Sequence, residues 1–321
     1  MANVANTGTG IVGEWWWCYG GPSIGDVAAQ APGVNYLSLV GSFVGGGGGG
    51  SVHTDFYNEA QMITDIQAFE AAGKAVVGMA GGGGDSTVIA SQGDADAFVQ
   101  SAIPIIDKLH LQGVDLDFEN TPNASAVASV ITQLKDHYGS DFIISMSPRP
   151  YELRDGGVYR DVIHDAGINN IDLVHPQDYA LAGDSLGAQR SYMDGDLNDW
   201  VHSGLVPASK LVIGSFDPGE GESVSTALDT YNYYKGVFPD LKGSMFWASH
   251  ADPSFSWANG MPHGDVVAAA AAPAPEPAYV EAPHVDPTPT VPPPPVVAAT
   301  PVDMSYAWTG LDSITAGAGG A

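Results

Sequence analysis

About the first 250 residues of the chain combine two hydrophobic patterns, one with a period of two residues and one with a period of three to four. Short apolar runs predict eight strands, at 11–19, 34–44, 74–80, 113–119, 141–147, 171–179, 210–216 and 243–249. The segments between them space apolar residues at helical intervals, as Met62, Ile66 and Phe69 do. Helices are predicted at 59–72, 94–111, 123–138, 158–165, 185–203 and 223–238, and Pro104 is expected to kink or split the second of them.

Regular alternation of strands and helices predicts a parallel sheet in an α/β domain. Eight strand and helix units in about 250 residues fit a closed (β/α)8 TIM barrel better than an open, doubly wound sheet, which is the structural alternative. The seven Trp, thirteen Tyr and ten Phe residues are enough for a large core and a binding groove. We therefore predict one barrel domain over residues 1–264.

The composition changes abruptly after Gly264. Residues 265–303 are rich in Ala and Pro and predict an extended linker, with a short last helix possible at 265–272. The tail, 304–321, contains Tyr306, Trp308, Leu311 and Ile314. It is interpreted either as a disordered terminus or as a docking peptide that attaches the barrel to a larger assembly.

One predicted strand carries acids on a single face. In Gly113-Val-Asp-Leu-Asp-Phe-Glu119, alternation directs Asp115, Asp117 and Glu119 to one side and apolar residues to the other. A strand inside an α/β unit is covered on both sides, so carboxyl groups there are costly unless they are hydrogen-bonded or protonated. Such an environment can keep a carboxylic acid protonated near neutral pH, which predicts acid–base chemistry.

Charge excludes some classes of partner. With 10 basic and 37 acidic residues the formal net charge is −27, which repels nucleic acid and anionic lipid surfaces. The N-terminus shows no signal-peptide pattern, and no apolar run is long enough to span a membrane. We expect a soluble protein, exported by a non-classical route if it acts outside the cell or on a particle; its location stays open.

Cofactor and metal chemistry find no support in the sequence. The single cysteine, Cys18, allows no internal disulfide and is expected in the core of the first strand. The histidines His53, His175 and His250 lack the spacing of a zinc site. The glycine clusters at 45–50 and 81–84 lack the Lys-Ser/Thr of a P-loop. They are interpreted as flexible loops, and neither a cofactor nor a metal is expected.

The acidic strand resembles a known signature. Gln112 to Glu119 is similar to the Asp-Gly-x-Asp-x-Asp-x-Glu motif of glycoside hydrolase family 18, the chitinases and endo-β-N-acetylglucosaminidases, with Gln112 in place of the first Asp. Further resemblances follow in chain order along residues 10–262, and the compact branch of the family fits best. They are the strand and glycines of 74–82, with Ala80 in place of a Ser, then Met146-Ser147-Pro148, Gln177-Asp178-Tyr179-Ala180 and Met245-Phe246-Trp247-Ala248.

This resemblance implies specific roles. Glu119 would be the general acid and later the base, Asp117 would orient the N-acetyl group of the substrate, and Asp115 would share a proton with Asp117. Tyr179 would hydrogen-bond the acetamido oxygen. The residues implied to contact substrate are Gln177, Trp247, Met146 and Trp17.

Some of these residues have simpler interpretations. Trp247 taken alone is more typical of core packing than of a sugar platform, and Tyr179 alone fits either role. Among Trp15, Trp16 and Trp17, alternation sends one or two into the barrel and the others under the helices, and we expect Trp17 near the sugar.

The resemblance implies retaining, substrate-assisted hydrolysis of β-1,4 bonds next to N-acetylglucosamine, in chitin or chitooligosaccharides. Two alternatives stay open: an endo-β-N-acetylglucosaminidase acting on N-glycans, and a barrel that binds glycans on a surface or particle without cutting them. Glu119 favours the enzyme. The departures from the family pattern at Gln112 and at Ala180, which stands in place of the Asn in Gln-x-Tyr-Asn, keep the binding protein open.

Overall fold

The structure is a computed structural model that describes residue 5 and residues 10–46, 49–56, 58–83, 85–120, 122–177, 183–216 and 222–262. All of them belong to the unit Met1–Pro273. The predicted linker 265–303, its possible helix 265–272 and the tail 304–321 lie outside the described residues and stay predictions.

The described strands form a barrel. They are β1 (Ile11–Trp17), β2 (Tyr36–Gly45), β3 (Val52–His53), β4 (Ala75–Gly81), β5 (Gly113–Asp117), β6 (Ile143–Met146), β7 (Leu173–Val174), β8 (Val212–Phe216) and β9 (Gly243–Trp247). Strand β3 pairs antiparallel with β2. The other eight are parallel in the order β7-β6-β5-β4-β2-β1-β9-β8, and a parallel bridge between Val174 and Leu211 joins the two ends. The predicted (β/α)8 barrel is confirmed, and the open sheet is wrong.

Helices cover the outside of the barrel. They are α1 (Ile24–Gln30), α2 (Glu59–Ala71), α3 (Gln92–Leu109), α4 (Ala124–Tyr138), α5 (Val158–Ala166), α6 (Leu186–Ser203), α7 (Val224–Val237) and α8 (Ser256–Gly260). The six predicted helices are confirmed with ends shifted by up to two residues, and α3 continues through Pro104 as one helix. Helices α1 and α8 were not predicted, because seven and five residues are too few to show a helical period.

Two apolar layers result from the strand alternation. Val114 and Leu116 of β5 belong to the layer between barrel and helices, whereas residues such as Trp15, Met79 and Met245 fill the barrel interior. Asp115 pairs in register with Met79 on β4, and residues in register on parallel strands share a face. The acids of β5 therefore point into the barrel.

Three details of the sequence prediction are wrong. Strand β5 ends at Asp117, so Glu119 lies in the following loop rather than in the strand. The sixth predicted strand, 171–179, shortens to Leu173–Val174. Cys18 lies past the end of β1 and is only partly buried. In the first two cases the apolar pattern continues into the loop beyond the last ladder hydrogen bonds.

Candidate active site

The acidic residues lie where strand β5 reaches the C-terminal edge of the barrel. Asp115 is fully buried and Asp117 is 5% exposed, while the Glu119 side chain, two residues past the strand, is 24% exposed. Exposure increases along the series, because each step moves one pleat closer to the opening. This edge is where parallel barrels carry their catalytic residues.

Asp115 is held by donors from three other strands. Its Oδ2 accepts hydrogen bonds from Ser38 Oγ at 2.7 Å and from Trp15 Nε1 at 3.1 Å. Its Oδ1 accepts from Ser145 Oγ at 3.0 Å, and Ser147 Oγ lies 3.0 Å from both oxygens. These contacts offset the cost of a buried carboxyl group and fix its orientation.

His175 extends this network. Its Nδ1 lies 3.0 Å from Ser147 Oγ, and its Nε2 lies 3.4 Å from Asp115 Oδ1. The ring is fully buried and packs edge-on against Trp15, with ring centroids 5.4 Å apart. Burial lowers the pKa of His175 and the Asp115 carboxyl opposes that effect. The neutral imidazole is therefore favoured at neutral pH.

Asp117 is linked to the rest of the site by Gln177. Gln177 Nε2 donates to Asp117 Oδ1 at 2.8 Å and to the carbonyl oxygen of Ser147 at 2.8 Å. Burial raises the pKa of Asp117 well above its usual range, and the nearby carboxyl groups of Glu119 and Asp115 raise it further. Burial and the neighbouring carboxyl groups thus both favour the protonated form of Asp117.

Glu119 faces the guanidinium of Arg149. Burial raises its pKa, the Arg149 guanidinium lowers it, the Glu152 carboxylate raises it, and a hydrogen bond with Gln177 lowers it. Arg149 Nη1 lies 3.6 Å from Glu119 Oε2. The net effect is a pKa above the usual value, which suits a carboxyl group that must hold a proton and then release it.

The loop after β6 completes this side of the site. Pro150–Leu153 forms a 3-10 turn, and Arg149 packs 5.1 Å from the centroid of the exposed Tyr151 ring. A cavity of about 390 Å³ lies between this turn and Glu119. It is a concave space of the size of known ligand sites.

Aromatic residues line the opposite side. The indole of Trp247, at the end of β9, packs against Trp15 and Trp17, with ring centroids 5.9 Å apart in each pair. Trp16 points outwards and donates through Nε1 to the carbonyl oxygen of Pro22. The alternation of the three tryptophans is confirmed. Trp15 joins the aromatic cluster to Asp115 through its indole N–H.

The structure brings most predicted site residues to one edge, namely Asp115, Asp117, Glu119, Gln177, Trp247 and Trp17. Tyr179, with residues 178–182, lies outside the described residues and stays a prediction. Met146 is wrong as a substrate-contacting residue, because it is fully buried in the layer facing the helices. It pairs in register with the outward-facing Leu116.

Sequence reasoning missed the residues that support the acids. Ser145 on β6 and Ser147, one residue past its end, are two positions apart, as Asp115 and Asp117 are on β5. Ser145 pairs in register with Asp115, so the period of two could have found both serines. The inward-facing residue of β4 at this level is Met79, whereas Ala80 lies in the outer layer. Arg149 and Glu152 carry no such signal, because a loop places them.

The glycines at the end of β4 have a steric role rather than serving as a flexible loop. Gly81 and Gly82 have φ of +97° and +96°, and Gly82 N donates to the Asp117 carbonyl oxygen at 2.8 Å. A Cβ on Gly81 would lie 2.1 Å from that oxygen. The ends of β4 and β5 therefore approach each other so closely that only glycine fits at position 81.

Within the described residues, no cluster of three or more His, Cys, Asp or Glu side chains could hold a metal ion. The same part of the chain contains no helix that is both long enough and apolar enough to cross a bilayer.

Comparison with known proteins gives relatives in sequence that are chitinases by name. The chain is 29% identical to Exochitinase 1 of Streptomyces olivaceoviridis over 42% of its own length and 28% of the relative. It is 25% identical to a probable class II chitinase of Arthroderma benhamiae over 64% of its length and 81% of the relative. The chain thus spans only about a quarter of the first relative. No protein-family model matches it.

Solved structures share the fold. A putative chitinase A from Streptomyces coelicolor matches with a TM-score of 0.69 at 18% identity, over 79% of this chain and 97% of that one. A fungal endo-β-N-acetylglucosaminidase of glycosyl hydrolase family 18 matches with a TM-score of 0.63 at 22% identity, over 77% and 95%. At these identities the likeness concerns the fold.

The closed (β/α)8 barrel carries graded carboxyl groups at the C-terminal edge of one strand, the edge where barrel enzymes hold their catalytic residues. The sequence relatives named above are chitinases, and one of the similar folds is an endo-β-N-acetylglucosaminidase of glycosyl hydrolase family 18. The chain is similar to these proteins in sequence and in fold.

Proposed function

We propose that the protein hydrolyses β-1,4 bonds next to N-acetylglucosamine in chitin or chitooligosaccharides, with retention of configuration. The observation that carries this proposal is the pairing of a partly exposed Glu119 with a buried Asp117, both in contact with Gln177. One carboxyl group can reach a glycosidic oxygen, and the other can reach a group next to the anomeric carbon.

In the first step Glu119 donates its proton to the glycosidic oxygen as the bond from that oxygen to the anomeric carbon breaks. The carbonyl oxygen of the substrate's own N-acetyl group attacks the anomeric carbon, so the nucleophile belongs to the substrate. The leaving sugar departs as a neutral alcohol. A positively charged bicyclic intermediate remains, and Glu119 is left as a carboxylate.

Asp117 orients the acetamido group in this step. Its carboxyl group accepts a hydrogen bond from the acetamido N–H, and the charge that develops on the ring is stabilised by the acids beneath it. Asp115, fixed by Trp15, Ser38, Ser145 and Ser147, holds its position while the charge on Asp117 changes. Proton sharing between Asp115 and Asp117 remains part of the proposal.

In the second step water attacks the anomeric carbon and the Glu119 carboxylate takes its proton. The bond between the anomeric carbon and the acetamido oxygen breaks, the N-acetyl group is restored, and the configuration is retained after two inversions. Glu119 is protonated again and ready for the next substrate.

Aromatic side chains provide the sugar-binding surface in this proposal. Trp247 forms the floor under the sugar whose bond is cut, and Trp17 extends that surface at the rim. Tyr179 hydrogen-bonds the acetamido oxygen. Since a polymer such as chitin lies outside cells, this substrate favours action outside the cell.

The test is release of a chromophore from chitobiose and chitotriose substrates. Glu119→Gln is expected to lower turnover by at least about a hundredfold, the scale of removing a general acid. Glu59→Gln, which changes a surface carboxylate paired with Lys108, is the matched control and should leave the rate unchanged.

Each other outcome supports one of the alternatives. Cleavage of N-glycans without cleavage of chitooligosaccharides would identify an endo-β-N-acetylglucosaminidase. One of the solved structures with a similar fold is an enzyme of that kind. No turnover of either substrate by the wild type, with glycan binding retained, would identify a binding protein.

A further inference from the structure

We propose that Arg149, clamped by the buried Glu152, is a positioning residue for Glu119 that orients its carboxyl group and stabilises the carboxylate left after proton transfer. This proposal rests on the function proposed above. Neither residue is part of the acidic motif. Both belong to the loop after β6, the strand that pairs directly with β5.

The clamp is a two-point contact. Glu152 Oε2 accepts from the Arg149 backbone N–H at 2.8 Å, and Glu152 Oε1 accepts from Arg149 Nη2 at 2.9 Å. Glu152 is 6% exposed, so its charge needs this compensation. One carboxylate therefore fixes both the start of the 3-10 turn and the guanidinium at the end of the side chain.

The other terminal nitrogen of the guanidinium, Nη1, faces Glu119. The distance of 3.6 Å from Arg149 Nη1 to Glu119 Oε2 is beyond the usual range of a hydrogen bond. The contact is an electrostatic attraction that leaves the carboxyl oxygen free to hold and donate its own proton. When that proton leaves, the new negative charge forms next to a fixed cation.

The charged and titratable groups around Glu119 act in opposing directions. Asp117 lies beneath it, Arg149 and Glu152 lie beside it, and the Tyr151 hydroxyl shares the same loop. Burial and Glu152 raise the pKa of Glu119, whereas Arg149 lowers it. The two members of one ion pair thus have opposite effects on the acid.

This opposition separates an electrostatic role of the pair from a purely structural one. If the pair only fastened the turn, loss of either member would loosen the loop and affect Glu119 in the same way. If Arg149 controls Glu119 by its charge, loss of Arg149 and loss of Glu152 shift the protonation of Glu119 in opposite directions.

The experiment measures kcat/KM on a chromogenic chitotriose substrate from pH 4 to pH 10. Arg149→Gln removes the cation that favours the carboxylate, so Glu119 stays protonated to higher pH. The alkaline limb of the pH profile, where kcat/KM falls as Glu119 loses its proton, should therefore move up by about one pH unit. Glu152→Gln should move it down. Arg149→Lys keeps the charge and should return the limb close to its wild-type position.

Arg154→Gln is the matched control. Arg154 lies in the same loop but pairs with Asp196, away from Glu119. The alkaline limb of the Arg154→Gln variant should therefore coincide with that of the wild type. A limb unchanged in Arg149→Gln, or shifts of the same sign in the Arg149 and Glu152 variants, would overturn the proposal.

A second measurement does not depend on turnover. The side-chain carbon of Glu119, labelled with ¹³C and assigned by its loss in Glu119→Gln, is titrated by NMR in each variant. The same opposite shifts are expected there. If the wild type cut no chitooligosaccharide, the proposed function would fail while this titration still decided the role of Arg149; equal titrations in an active enzyme would refute the role of Arg149 alone.

Discussion

Glu14 offers a quantitative prediction about stability. It sits on β1 between Gly13 and Trp15, on the face that packs against the helices, and it is fully buried. Neither of its carboxyl oxygens has a hydrogen-bond partner among the described residues. Burial, assisted by the charge of Asp252, raises the pKa of Glu14 from 4.5 to about 8. The change to test is Glu14→Gln, which keeps the shape and removes the titration.

The sign follows from proton binding. Between pH 4.5 and about 8 the folded state holds a proton on Glu14 that the unfolded chain has released, so stability falls as pH rises through this window. Each pH unit costs about 1.4 kcal/mol, which gives about 4 kcal/mol between pH 5 and pH 8. The cost is absent below the unfolded pKa and complete above the folded one.

The assay is urea unfolding of wild type and Glu14→Gln at pH 5, 6, 7 and 8. The two proteins should be about equally stable at pH 5, and the variant should be about 4 kcal/mol more stable at pH 8. Glu59→Gln controls for loss of a surface carboxylate. A stability difference between Glu14→Gln and wild type that stays constant from pH 5 to pH 8 would refute the burial of an ionisable Glu14.

Two further substitutions test the support of the site. Gly81→Ala places a Cβ 2.1 Å from the Asp117 carbonyl oxygen and should cost about 3 kcal/mol or more of unfolding free energy; Gly83→Ala, with open space around it, should change it by less than about 0.5 kcal/mol, and equal effects would contradict the steric argument. Trp15→Phe removes the 3.1 Å hydrogen bond to Asp115 and should cost about 1 to 3 kcal/mol in urea unfolding together with a loss of kcat. Unchanged stability and kcat would show that Ser38, Ser145 and Ser147 hold Asp115 in place without the indole.

The periodicity of apolar residues predicted helices and strands correctly wherever the element is long enough to show several repeats. The helices of 13 to 18 residues were found with small errors at their ends, whereas α1 and α8 were missed. Met146 shows the limit of motif matching. The motif placed it at the right strand, but only the register with Leu116 shows that it faces the helices.

The sequence by itself determined the alternation of strands and helices, the single face shared by Asp115 and Asp117, and the family resemblance, since all three depend on residues adjacent along the chain. The tertiary structure decided what surrounds those acids. Asp115 meets donors up to 100 residues away along the chain. Glu119 meets a guanidinium carried by another loop. Burial and charge at a site depend on which distant segments converge there, and barrel closure fixes that convergence.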